Sequence, residues 1–251
     1  MIKKFNIIHK GLDVRYFART SSTNALARED CSEVVTLWIA DYQSEGRGQR
    51  GNHWHSAEGL NLMFTLSVYP KFLSVKSQFQ ISEITALAVC QTLQNEGITA
   101  RIKWPNDIYV GDKKICGILI EHDVVGINLS RSIIGVGINI NQSEFDENLP
   151  NPTSLKLELG CECLDRNRIL QNFVDIFFEY YARLADGELF DSQYIIDLYR
   201  KDGEYHPFRL ACGKEVSAMI EGIDDFGRLQ IKDSEQNHYS LAFKEIEYII
   251  G

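Results

Sequence analysis

Long apolar runs are absent from this 251-residue chain, so no segment offers the roughly 20 consecutive apolar residues a membrane-spanning helix needs. The N-terminus, Met1-Ile2-Lys3-Lys4-Phe5-Asn6, also lacks the apolar centre of a secretory signal. Positive charge is in deficit: 26 Lys and Arg face 35 Asp and Glu, leaving a net charge of −9 that argues against general nucleic-acid binding. No C-x-x-C pair occurs among the six cysteines, only Cys161-x-Cys163, so a zinc site is not expected and the thiols read as reduced. His53-x-His55 lacks a third ligand nearby and reads as two solvated loop histidines. No internal repeat or low-complexity segment interrupts the chain. Together these absences predict a cytoplasmic globular protein with no membrane span.

What is present fits a sizeable core, with 44% hydrophobic residues. Short strands are expected over Phe5 to Ile8, Arg15 to Arg19, Val34 to Ala40, Leu60 to Val68, Ile98 to Lys103, Ile108 to Val110, Ile115 to Glu121 and Ser132 to Ile140. Helical spacing runs from Asn24 to Glu29, Ser77 to Asn95, Asp165 to Leu184 and Asp191 to Lys201. Hairpin-like neighbours predict an α+β fold with a mixed, mainly antiparallel sheet. After Pro207 only short strands remain, so the expectation is one domain over 1–204 and a small β-barrel over 205–251.

Gly46-Arg47-Gly48-Gln49-Arg50-Gly51 stands out, because glycine lets backbone approach an anion and arginine supplies a charged fork. The spelling satisfies G-x-G-x-x-G. A dinucleotide turn would need a helix after the last glycine and an acid about 20 residues on, and both are missing. Ser22, Thr23 and Asn24 suit N-capping of the helix that follows. The alternative is that their polar groups and the free helix N–H groups hold a ligand.

Lys103-Trp104-Pro105-Asn106-Asp107 precedes Lys113-Lys114-Ile115-Cys116-Gly117-Ile118-Leu119-Ile120-Glu121. With Ser22-Thr23-Asn24, the Gly46–Gly51 loop and Gly135-x-Gly137-Ile138-Asn139, this order resembles biotin protein ligase, from about Ser22 to Asn141. The resemblance implies a class II synthetase-like catalytic domain with a C-terminal SH3-like barrel. It implies a ligase that joins biotin to ATP as biotinyl-5′-adenylate and then passes biotin to a lysine of a biotin carboxyl carrier protein, as in acetyl-CoA carboxylase. Magnesium is the expected ion. By position, Lys114 would contact the carboxylate and α-phosphate, Arg47 the phosphate, and Asp107 would orient or deprotonate the incoming amine. Asp107 also reads as a turn cap after Pro105. Ser22, Thr23, Asn24 and Gln43 would hold biotin's ring and carbonyl, and Gly117 with Ile118 would bring backbone to biotin. Gly46, Gly48, Gln49, Arg50 and Gly51 would cover the adenylate, Trp54 would flank adenine, and Lys103 would line the site. Asn106 and Asn139 are candidates for the phosphate–magnesium environment.

One departure is evident: where the family's loop commonly reads G-R-G-R, the fourth position is Gln49. A lipoate or octanoate ligase and a non-catalytic adenylate-binding regulator are the rival readings. Only about twenty residues precede Ser22, too few for a winged helix-turn-helix, so a monofunctional enzyme that binds no DNA is expected. Both a monomer and a homodimer fit the sequence.

Overall fold

The computed structural model describes residues 5–250, apart from the side chain of Arg50. Seven strands form one sheet in the order β1-β2-β3-β7-β6-β5-β4. In chain order they are β1 (Asp13–Thr20), β2 (Thr36–Gln43), β3 (Leu62–Val68), β4 (Arg101–Lys103), β5 (Asp107–Val110), β6 (Lys113–Val125) and β7 (Asn128–Ile138). β1 and β2 are parallel, joined by helix α1 (Thr23–Glu29), and every other pair is antiparallel. The sheet is therefore mixed and mainly antiparallel, as expected.

Residue alternation gives the sheet two different faces. Leu62, Phe64, Leu66 and Val68 of β3 and Ile134, Val136 and Ile138 of β7 enter the main core. That core is closed by α2 (Phe79–Asn95) and α4 (Arg166–Ala185), with Phe64 and Phe173 in ring contact at 5.0 Å. α4 follows from its sequence: Ile169, Leu170, Phe173, Val174 and Phe177 fall on one buried face, and Asp165 caps its N-terminus by accepting from Asn167 and Arg168 N–H. The opposite face carries Met63, Thr65, Gly117, Leu119, Gly135 and Gly137. There α1 covers only a small cluster of Ala27, Trp38 and Ile133, and the rest of that face is free to form a site.

Two local expectations fail for tertiary reasons, and one short helix is present that the sequence does not announce. Phe5 to Ile8 is not a strand, because Asn6 and Ile8 N–H groups donate to the Asn167 and Gln171 side chains of α4. α5 stops at Ile196 (Asp191–Ile196) rather than running to Lys201. Beyond it, Asp197 O and Tyr199 N bond to Ile102 of β4, which pulls the chain out of helical geometry. A short helix α3 (Leu155–Leu159), capped by Ser154 and closed by the left-handed Gly160, was not foreseen.

The last strands, β8 (His206–Leu210), β9 (Glu215–Ile223), β10 (Leu229–Asp233), β11 (His238–Leu241) and β12 (Ile246–Tyr248), pair as a five-stranded antiparallel sheet, β11-β10-β9-β8-β12. This second sheet occupies the region read as a small barrel, and its register shifts between Gln230 and Ile231. No described helix is long and apolar enough to cross a membrane.

Glu83 of α2 is 1% exposed, and burial, aided by the neighbouring Asp191, pushes its carboxyl up to about 9. Unfolded, the group would ionise near its ordinary 4.5, so the folded chain holds a proton that the unfolded chain releases. Glu83 therefore costs stability as pH rises through that window. Glu83→Gln is expected to raise the melting temperature near pH 8, by the equivalent of about 4–5 kcal/mol at most, with the gain nearly vanishing near pH 4.5. Thermal unfolding at the two pH values checks this, and an equal gain at both would exclude the buried carboxyl as its source.

Candidate active site

A cavity of about 670 Å³ opens over the less covered sheet face and is closed on its far side by the second sheet. Its floor is backbone. Gly117 of β6 lies directly opposite Gly137 of β7, and Gly135 is opposite Leu119. A methyl group on Gly137 would sit 2.4 Å from the indole of Trp54, and one on Gly135 would sit 2.2 Å from Asn24 Oδ1. Both glycines are therefore required by close approach: the indole rests on one strand pair and the Asn24 amide on the next.

The polar wall at the start of α1 is not a simple helix cap, since the Ser22 side chain accepts no hydrogen bond from the helix. Instead Thr23 N–H donates to Gln43 Oε1 at 2.7 Å, and the Thr23 hydroxyl lies 3.0 Å from the same oxygen. Thr65, buried on the same sheet face, donates to Asn24 Oδ1 at 2.6 Å. Ser22, Thr23 and Asn24 are all buried. The Gln43 carbonyl is committed to Thr23, and among the described residues its NH2 has no protein partner. A rigid, preorganised set of hydrogen-bonding groups faces the cavity.

Two lysines start β6, and the structure separates them. Lys114 lines the cavity with its Nζ 2.7 Å from Asp107 Oδ1 and 5.9 Å from the Trp54 ring centroid. Lys113 points to Glu158 at 3.5 Å and is well exposed. Asp107 lies in β5 and pairs with Lys114, so it is not a turn cap. Asn106, one residue earlier, clamps Ile118: its Nδ2 donates to Ile118 O and its own carbonyl accepts from Ile118 N, each at 2.9 Å. Lys103 is held between the rings of Tyr109 and Tyr248, at 5.2 and 5.0 Å, and burial pushes its ammonium pKa down.

The glycine–arginine loop folds back on itself. Gly48 N–H donates to Asn52 O, Trp54 N–H donates to Gly46 O, and Arg47 bridges His53, delivering Trp54 to the floor. Gln49 opens a short 3-10 turn to Gly51. The Trp54 indole N–H is buried and has no hydrogen-bond partner among the described residues, so this side chain ends on the floor with its one polar group unsatisfied there. Arg47 is exposed at the cavity wall and has no ion-pair partner among the described residues.

Of the residues singled out in the sequence, Ser22, Thr23, Asn24, Gln43, Arg47, Gly48, Gln49, Trp54, Lys103, Asn106, Asp107, Lys114, Gly117 and Ile118 line this one cavity. Gly46, Gly51 and Asn139 do not. Gly46 accommodates the Trp54 carbonyl, and the buried Asn139 donates to Thr153 O, bracing the segment whose Thr153 N–H bonds Lys114 O. The Arg50 side chain lies outside the described residues. Reading the sequence missed Thr65 and the contribution of the second sheet, from which Arg209, Lys244, Glu247 and Tyr248 reach the wall. Those short strands carry no motif, and only the sheet's packing brings them there. Five cations (Arg47, Lys103, Lys114, Arg209, Lys244) face the cavity against two carboxylates, Asp107 and Glu247. Among the described residues no group of three or more His, Cys, Asp or Glu could hold a metal.

A model of the Biotin/lipoate A/B protein ligase family matches residues 16–139. The chain is 30% identical over 238 residues to the bifunctional ligase/repressor BirA of Salmonella typhimurium, covering 90% of this chain and 72% of that protein. It is 31% identical over 225 residues to the biotin–[acetyl-CoA-carboxylase] ligase of Paracoccus denitrificans, covering 86% and 92% respectively. It spans only about half of the two Bacillus BirA proteins it also matches. In structure it is similar to the biotin protein ligase of Aquifex aeolicus solved with biotin and ATP. The TM-score is 0.79 at 24% identity, over 94% of this chain and 99% of that one.

The floor geometry is open to a direct check. Gly137→Ala should drive the indole off the sheet, shifting tryptophan emission to the red, with no such shift when the same change is made in a Trp54→Phe background. An unchanged spectrum in the first variant would contradict the observed stacking.

Proposed function

The chain belongs to the biotin/lipoate A/B protein ligase family, and on that footing we propose that it is a biotin protein ligase that makes biotinyl-5′-adenylate and passes biotin to a lysine of a biotin carboxyl carrier protein. The observation that carries the reading is Lys114, paired with Asp107 at 2.7 Å, at the edge of a bare-glycine floor inside a cationic cavity.

In the first step a biotin carboxylate oxygen attacks the α-phosphorus of ATP, and the bond to the pyrophosphate oxygen breaks. Two anions must meet, and negative charge builds on the phosphoryl oxygens. Lys114 and Arg47 supply cations for that charge, each worth about 3 kcal/mol in a water-excluded site. Arg47 has no ion-pair partner among the described residues and is free to meet the ligand directly. Lys114 exchanges Asp107 for the ligand oxygens, which leaves the Asp107 carboxylate open. In the second step the carrier's neutral amine attacks the acyl carbon, AMP leaves, and Asp107 orients the amine or takes its proton.

Biotin resting on Gly117 displaces the Trp54 indole, which then stands free to stack on adenine. Gln43 NH2 and the Ser22–Asn24 groups hold the ring and carbonyl of biotin. Gly46, Gly48, Gln49, Arg50 and Gly51 close over the adenylate as one loop. Asn139 acts from behind the wall through Thr153. The site offers the carboxylate of Asp107 and the amide of Asn106, which suits a magnesium ion arriving on the phosphates of ATP rather than a resident metal. The catalytic unit is residues 1–204, with 205–251 as the closing module. The setting proposed is cytoplasmic, as monomer or homodimer.

Incubation with MgATP, a carrier domain and either biotin or lipoate tests the reading: biotin labelling is expected, and labelling by lipoate alone would overturn it. Adenylate formation without transfer would favour a non-catalytic adenylate-binding regulator. Lys114→Ala should lower labelling by about a hundredfold or more, while Lys113→Ala should retain it; the reverse pattern would remove Lys114 from the mechanism. Because Gln49 lines the cavity as a neutral amide, Gln49→Arg adds a cation to the loop and is expected to slow dissociation of the adenylate, measured by chase with unlabelled ligand. An equal rate would assign Gln49 no part in retention.

A further inference from the structure

The second sheet does more than close the cavity. We propose that the β9–β10 turn, Asp224–Gly227, is a latch whose hold on Trp104 positions the Asp107–Lys114 pair for reaction. Trp104 and Gly227 are thereby positioning residues for the ligase chemistry proposed above.

The turn is preformed. The Asp224 carboxylate accepts from Phe226 and Arg228 N–H at 3.0 and 2.9 Å, and Gly227 N–H donates to Asp224 O at 2.8 Å. At its end Gly227 adopts φ +76°, and a methyl group there would lie 2.4 Å from the Phe79 ring. The ring of Phe79 thus presses on bare backbone, and Tyr194 braces it edge-on at 5.5 Å. The Gly227 carbonyl accepts the indole N–H of Trp104 at 2.9 Å, a buried bond that joins the two sheets. Both the close approach and the left-handed backbone require glycine at this position.

Trp104 is 4% exposed and three residues from Asp107. Between them, Asn106 is tied twice to Ile118 of β6, and Asp107 is ion-paired to Lys114 at the start of the same strand. The segment Trp104–Asp107 is therefore held at both ends with little slack: one end hangs on the second sheet and the other carries a reacting pair. A shift of the Trp104 ring reaches the carboxylate through three peptide units, and misplacement by about 1 Å is enough to cost a reaction on the order of a hundredfold.

The decisive comparison is with a variant that loosens the same packing elsewhere. Ile195 packs against Gly222 of the second sheet, 3.5 Å from where a methyl group there would lie, and is not among the residues that line the cavity. In Trp104→Phe, which keeps the ring and loses the donor, and in Gly227→Ala, kcat for adenylate formation should fall about tenfold or more while biotin affinity stays within about twofold. Ile195→Ala should lower the melting temperature comparably and leave kcat near wild type. A parallel readout is independent of which acid is activated. Acetylation of Lys114 by an N-hydroxysuccinimide ester, followed by mass spectrometry, should speed up in the two latch variants and not in Ile195→Ala. If kcat and Lys114 reactivity change alike in all three, or in none, the latch is overturned. If Gly227→Ala does not fold, Trp104→Phe decides alone. Absence of adenylate from the wild type would refute the ligase reading, leaving Lys114 reactivity to judge the latch.

Discussion

Everything at this site depends on a sheet that must serve two masters. One face of β3, β6 and β7 is buried under α2 and α4, and period-two alternation then dictates which residues look the other way. On that second face the sequence places Gly117, Gly135 and Gly137 rather than side chains, exposing flat backbone at the centre of the sheet. Glycine within a strand costs roughly 0.5–1 kcal/mol relative to alanine. The aromatic and aliphatic packing beneath, with Phe64 against Phe173, offsets that loss at the same strands. A hydrophobic core on one side is what permits an undecorated floor on the other.

Above the floor, electrostatics sort similar residues into different roles. Lys113 and Lys114 are neighbours in sequence, yet strand alternation sends one to Glu158 and the other to Asp107. Lys103 is charged by type but desolvated between two tyrosines, one from each sheet. Arg47 remains exposed and without an ion pair among the described residues. Of the five cations facing the cavity, Lys114 is thus neutralised by a neighbour, Lys103 is held by rings and Arg47 is uncommitted, which suits binding an anion whose charge moves during reaction.

Much of this was legible in the sequence, and the exceptions share a cause. α2 and α4 follow from apolar period, and the sheet's antiparallel character follows from the hairpin signals. Lys114, Asp107 and the Ser22–Asn24 wall were found because they sit in compact motifs. α5 was overdrawn because pairing of Asp197 and Tyr199 with Ile102 is a long-range event that no local pattern announces. Asn139 was drawn toward the phosphates by its place in a motif, whereas its amide braces Thr153. Trp54 was identified, but its seat on Gly117 and Gly137 depends on how the loop folds back. The wall from the second sheet was invisible because no residue there is unusual except by position.

The uneven distribution of charge bears on how a substrate finds the site at all. The chain as a whole carries a net charge of −9, while cations predominate at the cavity. An anionic nucleotide diffusing toward the molecule meets repulsion from most directions and attraction from one. At physiological ionic strength the screening length is about 8 Å, so the two fields act at close range, after a collision has begun. The acidic exterior then discourages unproductive landings and the cationic mouth captures those that arrive correctly. Encounter, and not only chemistry, is thereby directed to the mouth of the cavity.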